Sequence, residues 1–340
     1  MKLGRITVPS PDGHQARIVA VTDSDTTVVD LARAYALSLQ RRGGTADSAT
    51  RVARALFPSS MSAAIAAGDA FLDAAHVALV AADDASSNVD DVNFIAAVDS
   101  PVIRDGLTYP THMQNFLEKV GSKPNPQAFK TPPFFKGSAS RIYGTGEPLP
   151  YPHFTDFLDW EFEIGIIVGR YGHNLTPDEA RDSIFGYTIF NDWSARDVQP
   201  REMDMHMGPQ KSKDFAFGIG PWIVTADELA DVDGLKGEVR LNNEVISTVE
   251  STPRTFDSAE MVAWVSVADA VLPGDLIGTG TMGFGSGFEI DRKLTPGDVL
   301  ELSLDRVGVL STPIGAVDTA PWWPEEKPFA WDENWNRVGY

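Results

Sequence analysis

Glu161 and Glu163 flank Phe162 in the run Asp159-Trp160-Glu161-Phe162-Glu163-Ile164. Side chains two apart on an extended strand leave the same face, so both carboxylates point one way. The almost wholly apolar stretch 164–168 behind them predicts a strand entering the core, where two like charges need a cation. Spacing alone equally allows an acidic stripe on a solvent-facing strand. A third carboxylate, Asp192, follows the run 186–190 and begins Asn191-Asp192-Trp193-Ser194-Ala195-Arg196-Asp197-Val198-Gln199. An aspartate at a strand end can serve a site or cap the next turn. The chain has no cysteine, which excludes a disulfide framework, a thiolate nucleophile and a Cys-bearing zinc site. Oxygen ligands select hard cations, magnesium, calcium or manganese, over zinc or copper.

His112 is one of six histidines, and its Pro- and Asn-containing surroundings read by themselves as a loop. His153, just ahead of the glutamate pair, and His206 are the other candidates for a base. Lys211 and Lys213 form a basic pair that is a solvated face unless a site recruits one of them. Gly278-Thr279-Gly280-Thr281-Met282-Gly283 fits G-x-G-x-x-G, but no helix is predicted after it, so dinucleotide binding is a poor reading. There is no Walker loop, G-x-S-x-G elbow or H-E-x-x-H, which leaves phosphate-driven, serine-nucleophile and zincin mechanisms without support.

These residues need elements to hold them. Apolar residues at helical spacing predict helices over 27–42, 46–56 and 62–82, after a short β start. The Ala, Asp, Ser and Asn of 82–91 favour a loop, which divides an N-terminal α/β domain, 1–91, from a larger body, 92–340. In the body, Gly and Pro punctuate short runs rich in Val, Ile, Phe and Trp, the pattern of a β-rich α+β core. Strands are predicted over 160–168, 186–191, 276–281 and 299–304. Thr176-Pro177-Asp178-Glu179 is a capping-box pattern for a helix reaching about 184, and Thr225-Ala226-Asp227-Glu228 repeats it. Asn242-Asn243 divides two strand-like runs, and 257–267 reads as an amphipathic helix.

Composition narrows the partners. Lys plus Arg number 28 against 48 Asp plus Glu, a net charge of −20 that repels phosphate backbones and anionic lipid, so no nucleic-acid or membrane partner is expected. No stretch reaches the roughly 18 apolar residues of a membrane span, and a cytoplasmic location is the default expectation.

The runs 158–169, 186–199 and 278–290 together resemble the fumarylacetoacetate hydrolase family, over about residues 100–315. The paired-glutamate strand, the Asn-Asp-x-Ser-Ala-Arg-Asp segment, a downstream lysine and a Gly-Thr-Gly-Thr strand occur in the family's order. The resemblance implies a mixed β-roll catalytic domain, a homodimer, and a divalent cation, magnesium first with calcium or manganese as alternatives. It implies Asp105, Glu161, Glu163 and Asp192 as the cation's ligands and His112 as general base, seven residues after Asp105 in Asp105-Gly106-Leu107-Thr108-Tyr109-Pro110-Thr111-His112. Asn115 stands where shorter, decarboxylase-like members have a glutamate, and Glu289 matches the glutamate that orients the histidine in the longer branch. Lys213 matches the charge-neutralising lysine, although some shorter members place theirs at the position of Lys211. Arg196, Gln199 and Thr281 match substrate-side positions.

The implied activity is hydrolysis of a carbon–carbon bond in a 1,3-dicarbonyl, such as an acylpyruvate or diketone. Leu107, Phe135 and Gly121 stand where fumarylacetoacetate hydrolase has two tyrosines and an arginine around a distal carboxylate, and Met203 replaces another tyrosine. The distal end of the substrate is therefore expected to be apolar or uncharged. Two alternatives keep the metal site: decarboxylation, hydration or tautomerisation of a 2-keto acid, or a non-catalytic, metal-stabilised binding protein.

Overall fold

The computed structural model describes residues 1–11, 13–22, 25–327, 330, 331, 333 and 334, so residues 335–340 of the expected body lie outside the described residues. The chain is β-rich α+β, as its composition of short apolar runs suggests. Strands Phe217–Thr225, Ile184–Asp192, Phe162–Val168 and Leu276–Gly278 lie side by side and antiparallel. Strand Ile103–Gly106 then pairs in parallel with Leu276–Gly278. A second sheet runs Glu244–Glu250, Lys236–Leu241, Val299–Leu304, Gly308–Val317, Leu149–Tyr151.

Strand Phe162–Val168 shows how the sequence builds the centre. All seven of its residues are buried. Phe162, Ile164, Ile166 and Val168 enter the core shared with the second sheet, while Ile167 packs in the core beneath the N-terminal helices. Burying each such side chain contributes on the order of 1.5–3 kcal/mol. The period of two therefore fixes the face of Glu163, and a register slip of one residue would exchange it for Ile164.

The N-terminal strands continue the same sheet: Lys2–Ser10 pairs with Gly13–Val21 and, through Lys2 and Leu3, with Val224 and Ile223. Hydrogen bonding thus runs across the boundary drawn at 91/92. Helix Ala46–Leu56 matches its predicted span, but two others differ. Thr27–Asp30 is a strand, favoured by its β-branched residues, and Asp30 caps helix Leu31–Arg41 by accepting from the Arg33 amide at 3.0 Å. The single helix expected over 62–82 is broken into Met61–Ile65 and Asp69–Leu79, because Gly68 adopts φ 59°.

The first capping box forms as expected ahead of helix Pro177–Ser183. The second does not, and 226–228 make only a turn. Thr225 instead bonds Met1, donating to its carbonyl at 3.1 Å, and Glu228 pairs with the Met1 amino group at 2.7 Å. Both halves of the box are thereby diverted. Among the described residues, no helix is long and apolar enough to cross a membrane.

Candidate metal centre and active site

Asp105 sits near the end of strand Ile103–Gly106, Glu163 on Phe162–Val168, and Asp192 at the end of Ile184–Asp192. Glu161 precedes its strand and bridges to Ser286. Register brings them together: Glu163 opposes Phe190, Gly165 opposes Gly278, and Gly278 opposes Asp105. Each of the four buried carboxylates offers an oxygen, and these oxygens lie within 4.8 Å of one another. Gly278 makes room for them, since a Cβ there would overlap Asp105 Oδ1 and lie 2.8 Å from Glu163 Oε2. Gly278→Ala is therefore expected to weaken divalent-ion binding at least about tenfold, a loss of ~1.4 kcal/mol, while the fold is retained; titration calorimetry with Mn²⁺ measures it.

The electrostatics fit a cation. Burial pushes Asp105, Glu163 and Asp192 well above the usual carboxylate range, reinforced in Asp105 by Glu163 and in Asp192 by Asp105 and Glu161. Glu161 goes the other way: burial opposes its ionisation, but Lys213, Arg196 and His112 hold it well below that range. One oxygen each of Asp105 and Asp192 is buried with no hydrogen-bond partner. Buried acceptors of this kind are costly unless something satisfies them, and a hard divalent cation does so with oxygen ligands alone.

Lys213 reaches two of the four carboxylates, donating to Glu161 Oε2 and, at 2.5 Å, to Asp192 Oδ2. Burial would lower its pKa, but the Asp192 and Glu161 carboxylates raise it, so it stays an ammonium. Lys211 instead pairs with Asp214 at 2.9 Å on the surface, so of the two it is Lys213 that enters the cluster. Each nitrogen of Arg196 has one partner, leaving a second N–H on each terminal nitrogen: Nε donates to Asp159 at 2.7 Å, one terminal nitrogen to Glu161 at 2.7 Å and the other to Gln199 at 3.0 Å. Its guanidinium lies 5.6 Å from the ring of Phe116 and 5.7 Å from that of Phe288. Thr281 donates to Glu163 at 3.3 Å, and the Gly280 amide donates to the same carboxylate at 2.8 Å. That turn at Gly280, φ 90°, is why the strand expected over 276–281 stops at Gly278.

His112 lies on a helix, Pro110–Lys119, rather than in a loop; Pro110 stands at its start and Gly121, φ 66°, follows its end. Helical spacing puts His112 and Asn115 on one face, and both meet Glu289. His112 Nδ1 lies 2.8 Å from Glu289 Oε2, and Asn115 donates to Oε1 at 2.8 Å. Glu289 also accepts from the Phe284 amide at 2.9 Å and the Ser286 hydroxyl at 2.9 Å. The other imidazole nitrogen, Nε2, lies 3.8 Å from Glu161 Oε1. His153 packs 5.5 Å from Trp323, and His206 lies on an exposed turn with φ 57°, so neither joins the cluster.

A cleft of about 430 Å³ opens beside this cluster. It is lined by Asp105, Glu161, His112, Lys213, Arg196, Gln199 and Thr281, and by Leu107, Met113, Phe116, Leu117, Phe135 and Met203. Lys123 and Asn125 line it too. A larger groove, about 810 Å³, is lined by second-sheet residues such as Lys236, Glu238 and Glu250 together with Tyr109 and Phe284, and holds none of the predicted site residues.

Two contacts escaped the sequence reading. Asn115 stands out in the sequence as the residue three positions after His112 that distinguishes the longer branch, but not as a donor to Glu289. Asp159 is fully buried and accepts from Arg196 and from the amides of Gly287 and Phe288, at 2.7 Å and 3.1 Å, tying Arg196 to the segment that carries Glu289. Its place two residues before Glu161, on the same side of an extended chain, was the available clue.

The family described as fumarylacetoacetate (FAA) hydrolase, C-terminal, matches residues 101–315. The chain belongs to the fumarylacetoacetate hydrolase family of enzymes. It is 31% identical over 259 residues to the human mitochondrial oxaloacetate tautomerase FAHD2A, covering 74% of this chain and 79% of that one. It is 29% identical over 272 residues to the oxaloacetate tautomerase YisK of Bacillus subtilis (strain 168), covering 76% and 87% respectively. Among solved structures it resembles a fumarylacetoacetate hydrolase from psychrophilic Exiguobacterium antarcticum, with a TM-score of 0.67 and 25% identity, covering 93% of this chain and 99% of that one.

Proposed function

We propose that this enzyme hydrolyses a carbon–carbon bond in a 1,3-dicarbonyl compound, with His112 as general base and Asp105, Glu161, Glu163 and Asp192 holding a divalent cation, magnesium in the first instance. The observation that carries this reading is the placement of His112: Nδ1 lies 2.8 Å from Glu289 and Nε2 3.8 Å from Glu161, so the tautomer that gives its Nδ1 proton to Glu289 turns the Nε2 lone pair toward the carboxylate cluster. When bound, the cation supplies Lewis acidity to the substrate's oxygens and offsets the negative charge that develops there. His112 takes a proton from water, and the hydroxide formed adds to the distal carbonyl carbon. The carbon–carbon bond then breaks with its electron pair left on the central carbon, which takes a proton back from His112. Lys213, held cationic by Asp192 and Glu161, supports the oxygen that gains charge. Arg196, Gln199 and Thr281 serve the substrate side of the cleft, and a homodimer is the assembly this reading carries.

The apolar wall of Leu107, Phe116, Phe135 and Met203 suits an apolar or uncharged distal group, because a carboxylate buried against it would lose its hydration. A substrate with a distal carboxylate would depend on Lys123. Tautomerisation of a 2-oxo acid is the second reading, favoured by the names of the curated relatives; there His112 would move a proton between carbon and oxygen and no carbon–carbon bond would break. Both are tested together by incubating the Mg²⁺-loaded protein with acylpyruvates, neutral diketones and oxaloacetate, following enol absorbance and identifying products by NMR. One carboxylic acid and one ketone from each neutral diketone, and two acids from each acylpyruvate that is cleaved, are expected. Loss of enol signal from oxaloacetate with no fragments from any acylpyruvate or diketone overturns hydrolysis in favour of tautomerisation.

A further inference from the structure

The segment from Gln199 to Lys213 presents four cleft residues, Gln199, Met203, Pro209 and Lys213, yet its middle is exposed: Met205 and Met207 are 58% and 74% accessible. Something must hold its two ends in register. Helix Gln199–Asp204 carries Glu202, which is buried and accepts from the Gln210 amide at 2.8 Å, the Ser212 amide at 3.1 Å and the Ser212 hydroxyl at 2.5 Å. Among the described residues, no lysine or arginine pairs with this carboxylate. All three donors come from the three residues before Lys213, and the Lys213 amide itself donates to the Gln210 carbonyl at 3.0 Å. We infer that Glu202 is a positioning residue that acts through Lys213, clamping residues 210–212 so that the Lys213 ammonium meets Glu161 and Asp192. The inference rests on the proposed role of Lys213, and it names the group that sets the lysine's reach.

The geometry makes the effect specific. A charged acceptor for three donors is lost in Glu202→Ala, and the donors of Gln210 and Ser212 are left within a closed segment. The fold has other ties there: the Ala195 amide donates to the Ser212 carbonyl at 2.9 Å. The chain therefore stays folded while the lysine loses its aim, and a displacement near 1 Å can cost about 10²-fold in rate. The test is a double-mutant cycle of Glu202→Ala, Lys213→Met and both together, with Glu202→Gln as the conservative partner and Met207→Ala as a loop-tip control. In kcat, Glu202→Ala is expected to fall by about 10- to 10²-fold, the double variant to match Lys213→Met alone, and Met207→Ala to stay within about twofold. Multiplicative losses would show a role independent of Lys213 and overturn the inference. Mn²⁺ affinity, read by electron paramagnetic resonance on the same set, makes the outcome independent of any turnover: Glu202→Ala should shift it in the direction of Lys213→Met, with no further shift in the double variant. Should no dicarbonyl be turned over, the reading of function fails while the Mn²⁺ cycle still decides whether Glu202 acts through Lys213; additive shifts there sink the inference by themselves.

Discussion

His112→Ala lowers kcat by about 10²- to 10⁴-fold and leaves Mn²⁺ binding within a few-fold of the unaltered chain: this is the expected result if the imidazole is the base, since base catalysis contributes an acceleration of that size. The imidazole touches the ligand set only through Nε2, 3.8 Å from Glu161, so its loss removes the proton acceptor without removing a ligand. Glu289→Gln should cost less than His112→Ala, because the helix still presents the ring and Asn115 and the Ser286 hydroxyl remain to hold position 289. What Gln cannot do is stabilise the imidazolium that forms when the proton is taken. Steady-state rates on the best substrate, with metal content checked in parallel, measure both. A His112→Ala enzyme within about tenfold of normal, fully loaded with Mn²⁺, would remove the histidine from the chemistry.

Asp105→Asn should abolish turnover and reverse the usual sign of a stability change. In the ion-free protein this carboxylate is buried, pushed toward its neutral form by burial and by Glu163, and one of its oxygens has no partner. Replacing it with a neutral amide of the same shape removes a charge that the fold has trouble keeping, so the ion-free variant is expected to melt at or above the temperature of the natural chain. Saturating Mg²⁺ should then stabilise the natural chain by about 2.7 kcal/mol at a hundred times its dissociation constant and the variant by far less. Thermal melts with and without Mg²⁺, after dialysis against a chelator, read both effects. Equal stabilisation of the two proteins by the ion would place it elsewhere, and restored activity in the metal-depleted variant would dismiss the carboxylate as a ligand.

The paired glutamates were legible because strand periodicity is a local rule: Glu161-Phe162-Glu163 announces its own geometry, and the apolar residues after it announce burial. Asp105 and Glu289 were not legible from spacing, since one lies 56 positions before Glu161 and the other 128 after it; their places came from resemblance, and the structure brings both to the cluster. The helix under His112 was missed because Pro110 and Asn115 read as loop residues, whereas a proline at the first helical position needs no amide partner. The expected second capping box failed for a non-local reason, the approach of Met1 to Thr225 across 224 positions. The 91/92 division was drawn from a local change in composition, and the strand pairing that crosses it, Leu3 with Ile223, is invisible to any window of neighbouring residues.

Three strands of the central sheet carry Asp105, Glu163 and Asp192, with Leu276–Gly278 lying between the strand of Asp105 and that of Glu163, so residues far apart in sequence must be paired before the carboxylates meet. A half-assembled sheet therefore offers no more than loose pairs of carboxylates to an ion. An ion held by these carboxylates would be captured only once the last of these strands docks, too late to hasten assembly, and would act as a bolt on the finished structure. Its presence should leave the refolding rate nearly untouched and lengthen the lifetime of the native state.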